Sequence, residues 1–298
     1  MISIQEAFKK FRSRLELNER EQKDASRRQK EIRAYMDEKF DVEDDFLTGS
    51  YRRWTKTKPL CDVDIFCVLG EDERHYRAKH PSALLGAVED VMVQRYGRPN
   101  VERQRRSVNV KFGVVPDADE QTNDQVMSFD VVPAFAKDDH YEIPDTSVPK
   151  GWTETDPRVH YDKALEAQET FSGEWKGLVR MGKKWNAFHG KAVKPSFLIE
   201  VMGLEVLRPP FAGDYRYEIK AFFAALADRI EETWNDPAGL GPPVSDTMNV
   251  TDRQKAKAEL IKASDAAARA IQLEKQGHNG DALRVWREQI FGPLFPLS

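Results

Sequence analysis

Apolar residues recur at helical spacing from the start of the chain. Ile4, Phe8, Phe11 and Leu15 form one stripe, and Ser3-Ile4-Gln5-Glu6 has the Ser-x-x-Glu form of a capping box. A helix is therefore predicted to begin at Ile4. Residues 16–31 are almost entirely polar and charged before Ile32, Tyr35, Met36 and Phe40 resume the stripe. That stretch is either the solvated middle of one long helix or a break in it. Past Phe40 the pattern changes to short runs rich in β-branched residues: Asp62 to Leu69, Val101 to Arg105, Val108 to Val115 and Val126 to Val132. One helical segment, Pro81 to Tyr96, falls between the first two, which predicts a mixed sheet with helices on one side.

The stretch from Lys137 to Pro157 holds Pro144, Pro149 and Gly151 and reads as an irregular connector, with a lobe boundary near Lys150. Helical patterns dominate beyond it: Asp156 to Phe171, Gly173 to Phe188, Pro195 to Leu207, Asp214 to Trp234, Asp252 to Gln276 and Gly280 to Phe291. Pro195 suits a first helical turn and Gly277 a C-terminal cap. The fold class is α+β, with a sheet-bearing lobe over 1–150 and a helical lobe over 151–298.

Composition narrows the picture. The 298 residues are 40% hydrophobic and 32% charged, with 46 Lys and Arg against 50 Asp and Glu, a net charge of −4. Such a chain is globular, carries no bulk positive charge for coating nucleic acid, and is long enough for two lobes at roughly 150 residues each. Apolar runs such as Phe222 to Ala227 are far shorter than the roughly 20 residues a membrane span needs. The two cysteines, Cys61 and Cys67, suit a reducing compartment, so a cytoplasmic protein without a membrane anchor is expected.

The chemistry concentrates in Thr48-Gly49-Ser50-Tyr51-Arg52-Arg53-Trp54-Thr55 and the following Cys61-Asp62-Val63-Asp64-Ile65-Phe66. On a strand, Asp62 and Asp64 point to one face and Val63 and Ile65 to the other. Alone, such a pair is commonly solvated on an edge strand. Here a third acid, Asp130, stands in the apolar strand Ser128-Phe129-Asp130-Val131-Val132, where an unpaired buried carboxylate is costly. Three carboxylates on neighbouring strands would hold two divalent ions, Mg²⁺ or Mn²⁺, in the clamp used for in-line phosphoryl displacement. Asp130 would also be placed to accept a proton from an attacking hydroxyl. Gly49 lets backbone approach a phosphate closely, and the Ser50 hydroxyl can bind its oxygens.

Gly49-Ser50, Asp62-x-Asp64 and a later strand aspartate resemble the signature of DNA polymerase β-like nucleotidyltransferases. The longer run Gly-Ser-Tyr-x-Arg-x-Thr, Gly49 to Thr55, with Asp-Val-Asp-Ile and a helical lobe beyond, resembles the bacterial cGAS/DncV-like nucleotidyltransferases, the CD-NTases of CBASS antiphage systems. The resemblance implies a two-lobed polymerase β-like fold whose helical lobe is like that of oligoadenylate synthetase. It also implies synthesis of a cyclic di- or trinucleotide from ATP, GTP or another triphosphate, with loss of pyrophosphate and a role in antiphage defence. Asp62, Asp64 and Asp130 would be catalytic and bind two Mg²⁺ ions, with Gly49 and Ser50 at the triphosphate. In the resembled family a helical lysine and a serine opening the next helix contact the donor triphosphate. In this chain Lys183 and Ser196 match them, with Lys184 a substitute for Lys183. CBASS accessory proteins of the HORMA or ubiquitin-transfer-like kind are implied as partners, whereas nothing in the sequence requires nucleic acid.

The run from Lys176 to Lys194 has Lys183, Lys184 and Lys191 and no acid, a locally basic stretch in an acidic protein. Those lysines could equally coat a helix, and Ser196 could only cap one. Arg98, Arg103, Arg105, Arg106 and Lys111 oppose only Glu102 across a predicted hairpin and read as a solvated basic edge. Trp54, Trp175 and Trp185 read as packing residues. The six histidines lack zinc spacing, and neither a P-loop nor a nucleophile elbow occurs. Two rival functions stay open at this point: transfer of a nucleotide to an RNA, protein or small molecule, and non-catalytic sensing of nucleotides or RNA.

Overall fold

The structure, a computed structural model, describes residues 2–114, 125–149 and 151–298. The N-terminal pattern resolves into two helices, α1 (Ile4–Arg14) and α2 (Glu19–Lys39). Each opens on its own capping box, Ser3 with Glu6 and Asn18 with Glu21. Both helix starts thereby satisfy their orphan amides, which sets a break between them. Although α2 is highly charged, Ala25, Ile32 and Met36 pack beneath the sheet, and buried Glu21 receives Lys58 Nζ at 3.0 Å.

Among the described residues seven strands form one mixed sheet: β1 (Val42–Thr48), β2 (Val63–Leu69), β3 (Val101–Arg103), β4 (Val108–Lys111), β5 (Ser128–Lys137), β6 (His140–Pro144) and β7 (Trp152–Thr155). Their order is β1-β2-β5-β4-β3, with β6 paired to β5 and β7 to β6. The β2–β5 pair is parallel and the other pairs are antiparallel. A single turn, α3 (Gly49–Arg52), follows β1 directly, and α4 (Ser82–Tyr96) lies between β2 and β3.

Three strands depart from the sequence expectation. Val-Glu-Asp-Asp-Phe-Leu-Thr in β1 lacks clean alternation and is extended because it pairs with β2. The expected connector between Lys137 and Pro157 contains β6 and β7. Its prolines occupy tolerated positions, Pro144 ending β6 and Pro157 opening the next helix. Lys150, the expected boundary, and Val115, the expected end of a strand, lie outside the described residues, and the sheet continues to Thr155.

The helical half comprises α5 (Pro157–Thr170), α6 (Trp175–Phe188), α7 (Phe197–Val206), α8 (Tyr215–Arg229), α9 (Val250–Lys275) and α10 (Asn279–Val285). A π-type turn, Trp286–Phe291, extends α10, and Gly277 at φ +82° follows α9. Two large cores result. Beneath the sheet, α2 and α4 bury Ile32, Leu85, Val88 and Met92 with Ile65, Val110, Phe129 and Val131. The second core gathers α6 to α10 and also takes in α1, with Phe8 edge-on to Trp286 at 4.8 Å and Phe11 4.5 Å from Phe291. Helix α1, grouped by the sequence reading with the sheet lobe, therefore packs in the helical core, because its aromatic partners lie at the far end of the chain.

Candidate active site

Strand register assembles the site. Thr48 of β1 pairs with Asp64 of β2, Asp64 with Asp130 of β5, and Asp130 with Asn109 of β4. Residues in register across adjacent strands share a face, so this row places two acids side by side between a threonine and an asparagine. Asn109 Nδ2 donates to Asp130 Oδ1 at 2.9 Å. At the end of β1 the backbone turns through Gly49 at φ +63°, and a Cβ there would stand 1.7 Å from Asp64 Oδ2. Glycine is thus required twice over, by backbone conformation and by the nearness of the acid. Ser50 follows, and its carbonyl accepts the N–H groups of Thr55 and Lys56 at 3.0 and 3.1 Å, curling the loop back on itself.

Asp62 differs from the sequence reading. It lies one residue before β2 at φ +52°, so strand alternation does not aim it. Its carboxylate is instead held by Ser128, whose hydroxyl donates to Asp62 Oδ1 at 2.7 Å. The acids still feel one another. Burial, then the charge of Asp130, pushes the Asp64 carboxyl up to about 7. Burial also raises Asp130, opposed by the hydrogen bond from Asn109 and reinforced by the charge of Asp62. Among the described residues no group of three or more His, Cys, Asp or Glu side chains is placed to hold a metal ion. What is present is a carboxylate pair with insufficient counter-charge and a third acid within electrostatic reach. Hard oxygen donors short of positive charge fit a divalent cation such as Mg²⁺.

The acids open onto a cleft of about 540 Å³ between the sheet and the helical half, lined by Gly49, Asp64, Arg106, Phe197 and Val244 among others. The sequence matches the profile of the Second Messenger Oligonucleotide or Dinucleotide Synthetase domain over residues 2–167. The chain belongs to that family. It is a CD-NTase, a nucleotidyltransferase of the cyclic oligonucleotide synthase group. Over 272 residues it is 26% identical to a probable cyclic nucleotide synthase of Bacillus cereus, covering 83% of this chain and 81% of that one. It is 27% identical over 272 residues to a cyclic AMP-AMP-AMP synthase of Acinetobacter, covering 85% and 73%. Among solved structures, Escherichia coli CdnC with ATP superposes with a TM-score of 0.72 at 16% identity over 99% of both chains. The same protein in its HORMA-deltaN complex gives 0.70 at 18% identity over 98% of both chains. Bradyrhizobium diazoefficiens CdnG with GTP gives 0.69 at 13% identity, over 96% of this chain and 94% of that one. The two-lobed polymerase β-like fold of this CD-NTase is therefore the one expected.

Away from the acids, the helical half of this CD-NTase differs from the sequence reading. Lys183 is buried, and its Nζ pairs with Glu200 Oε1 and approaches Thr55 O at 3.5 Å. Burial lowers its pKa. Glu200 also receives Arg53 Nε at 2.9 Å, Arg53 Nη2 at 3.2 Å and Thr55 Oγ1 at 2.8 Å. The arginine and threonine of the Gly-Ser-Tyr-x-Arg-x-Thr run thus tie the loop to α7. Lys184 is buried as well, 3.5 Å from Lys58 O. Ser196 is an exposed residue ahead of α7, between Pro195 and Phe197 of the cleft wall, and makes no side-chain cap bond. The structure thus brings Gly49 and Asp64 to the cleft, sets Asp130 beside Asp64 in strand register with Asp62 within electrostatic reach, and gives the charge of Lys183 to Glu200.

Sequence reasoning missed Glu200, Asn109 and the roles of two arginines. Glu200 was within reach: it is the lone acid in Phe197 to Leu204, the same signal that marks Asp130. The basic hairpin is paired rather than free, Arg98 to Glu89 at 2.7 Å and Lys111 to Glu102 at 2.5 Å, while Arg105 and Arg106 turn to Asp145. Trp175 and Trp185 are fully buried as expected, but Trp54 is 51% exposed at φ +59°.

Proposed function

We propose that this synthetase joins nucleoside triphosphates, ATP and GTP among them, into a cyclic di- or trinucleotide. Asp64 beside Asp130 in strand register, with Gly49 pressed against Asp64, carries this reading. Mg²⁺, or Mn²⁺ in its place, held as two ions by Asp62, Asp64 and Asp130, would neutralise charge on the triphosphate and lower the pKa of the attacking hydroxyl. Asp130, raised by burial and steadied by Asn109, accepts the proton of that ribose hydroxyl. The hydroxyl oxygen bonds to the α-phosphorus as the bond to pyrophosphate breaks, and Ser50 orients the departing phosphates beside Gly49. In this reading Lys183 and Ser196 reach the same triphosphate once the helical half closes on it, Lys183 loosening from Glu200. A second transfer within the linear product closes the ring.

The sheet half would supply the chemistry and the helical half the lid, divided near residue 150. Among the described residues no helix is long and apolar enough to cross a membrane. The product would serve as a cytoplasmic antiphage alarm, and the HORMA complex of CdnC makes a HORMA-type accessory protein the first partner to try. The test is incubation of purified protein with labelled triphosphates and Mg²⁺. A phosphatase-resistant product formed without added acceptor, lost in Asp64→Asn and Asp130→Asn, is the expected result. Label appearing only on added RNA or protein, or turnover unchanged in both variants, would overturn it.

A further inference from the structure

Part of the cleft wall carries a charge imbalance that the chemistry above does not use. Asp145, fully buried just beyond β6, accepts hydrogen bonds from Arg105 Nε and Nη2 at 2.7 Å each and from Arg106 Nε at 2.8 Å, and Arg106 Nη2 ion-pairs with it at 2.7 Å. Ser147 N, Ser147 Oγ and Thr153 Oγ1 donate to it as well, at 2.9, 2.7 and 3.2 Å. One arginine would neutralise this carboxylate, and the other hydrogen bonds would complete its coordination. Against Asp145 the second guanidinium therefore adds one positive charge beside the first, which like-charge repulsion disfavours unless a further anion joins it; Glu154, which also lines the cleft, is taken by Lys137 and His140. Each arginine spends its Nε–Nη2 edge on Asp145, and neither Nη1 has a hydrogen-bond partner among the described residues. The two side chains are 41% and 38% exposed, and both line the cleft with Asp64.

Resting on the nucleotidyl-transfer reading, we infer that Arg105 and Arg106 form a seat for a phosphate of the second nucleotide, the one that supplies the attacking hydroxyl. The fork of a guanidinium matches phosphate oxygens, and Asp145 holds both forks in place. Position separates this seat from the donor's. The β3–β4 turn that carries Arg105 and Arg106 is closed by Ser107, whose hydroxyl donates to Gln104 Oε1 at 3.1 Å, and it lies three strand steps of about 4.8 Å from β1, where Gly49 sits. The bound phosphate belongs either to the 5′-triphosphate of the incoming nucleotide or to the phosphodiester of the linear intermediate.

Arg105→Gln and Arg106→Gln, made singly, each leave one arginine on Asp145, so the thermal midpoint should stay near that of the unaltered protein. With saturating donor, the KM for a triphosphate acceptor should rise about 10-fold while kcat holds, and the KM for the matching nucleoside, lacking phosphates, should not move. Arg106→Lys, which keeps the charge but not the fork, should recover only part of the loss. If the seat holds the phosphodiester instead, the first bond forms at the normal rate and linear intermediate accumulates about 10-fold. A large fall in midpoint, equal effects on both acceptors, or no effect on either acceptor or intermediate would overturn the inference. Absence of turnover in the unaltered protein would instead count against the nucleotidyl-transfer reading itself.

Discussion

Asp64 and Glu200 are acids sunk on either side of the same loop, residues 49–55, and their surroundings are opposite. Glu200 is 2% exposed and has more than it needs: two cationic side chains and a hydroxyl converge on it, and its carboxyl is held well below the usual carboxylate range. Arg53 and Lys183 lower it against a burial effect that alone would raise it. Asp64 has less than it needs, because its strand neighbour is another acid. A buried charge with partners locks structure, whereas one without them waits for a ligand to supply the missing charge. The closed cluster joins the loop to α6 and α7, and the open one faces the cleft.

The contrast can be broken by removing each acid. Glu200→Ala strands Arg53 and Lys183 without a counter-charge and should lower stability by about 3–5 kcal/mol in denaturant unfolding. Asp64→Asn should do the reverse at pH 8, stabilising the metal-free protein by about 1–3 kcal/mol while turnover falls on the order of 10³-fold. If both substitutions destabilise alike, the distinction between the two sites fails.

Gly49→Ala sharpens it next. The added methyl meets Asp64 Oδ2, and displacing that carboxylate should cut kcat about 10²-fold. Acidity then separates the two acids without mutation. The folded value of Asp64 is raised, so the stability it contributes is fully present below 3.8 and lost as pH rises through about 7. Glu200 has a depressed value, so its contribution is present above 4.5 and lost as pH falls. Because Mg²⁺ requires the ionised Asp64, the rise in thermal midpoint on adding Mg²⁺ should be small at pH 5.5 and grow towards pH 8; a pH-independent rise would place the ion elsewhere. The smallest effect concerns Asp62. Ser128→Ala frees that carboxylate and should lower activity about 10-fold with little change in stability, measured as initial rate and thermal midpoint.

Much of this site is legible in the chain because its logic is local. A glycine–serine turn, an Asp-x-Asp run and an acid inside an apolar strand each violate a packing rule within a few residues, and the violations coincide in one place. Strands β6 and β7 and the destination of α1 are not legible in that way. Their stability comes from partners distant in sequence, such as Trp286 and Phe291 for Phe8 and Phe11, which no local pattern names.

The order of residues by itself marked Gly49, Ser50, Asp62, Asp64 and Asp130 as candidates for chemistry and most of the helices as helical. Only the tertiary structure decided how their charges are shared out. Lys183 in a basic helix reads as a ligand for phosphate, yet folding brings Glu200 against it from α7; Arg105 and Arg106 read as a solvated edge, yet folding brings Asp145 beneath them. Charge compensation acts through space over a few ångströms, whereas sequence patterns record neighbours along the chain, so the paired and the unpaired cations become distinct only when the strands and helices meet.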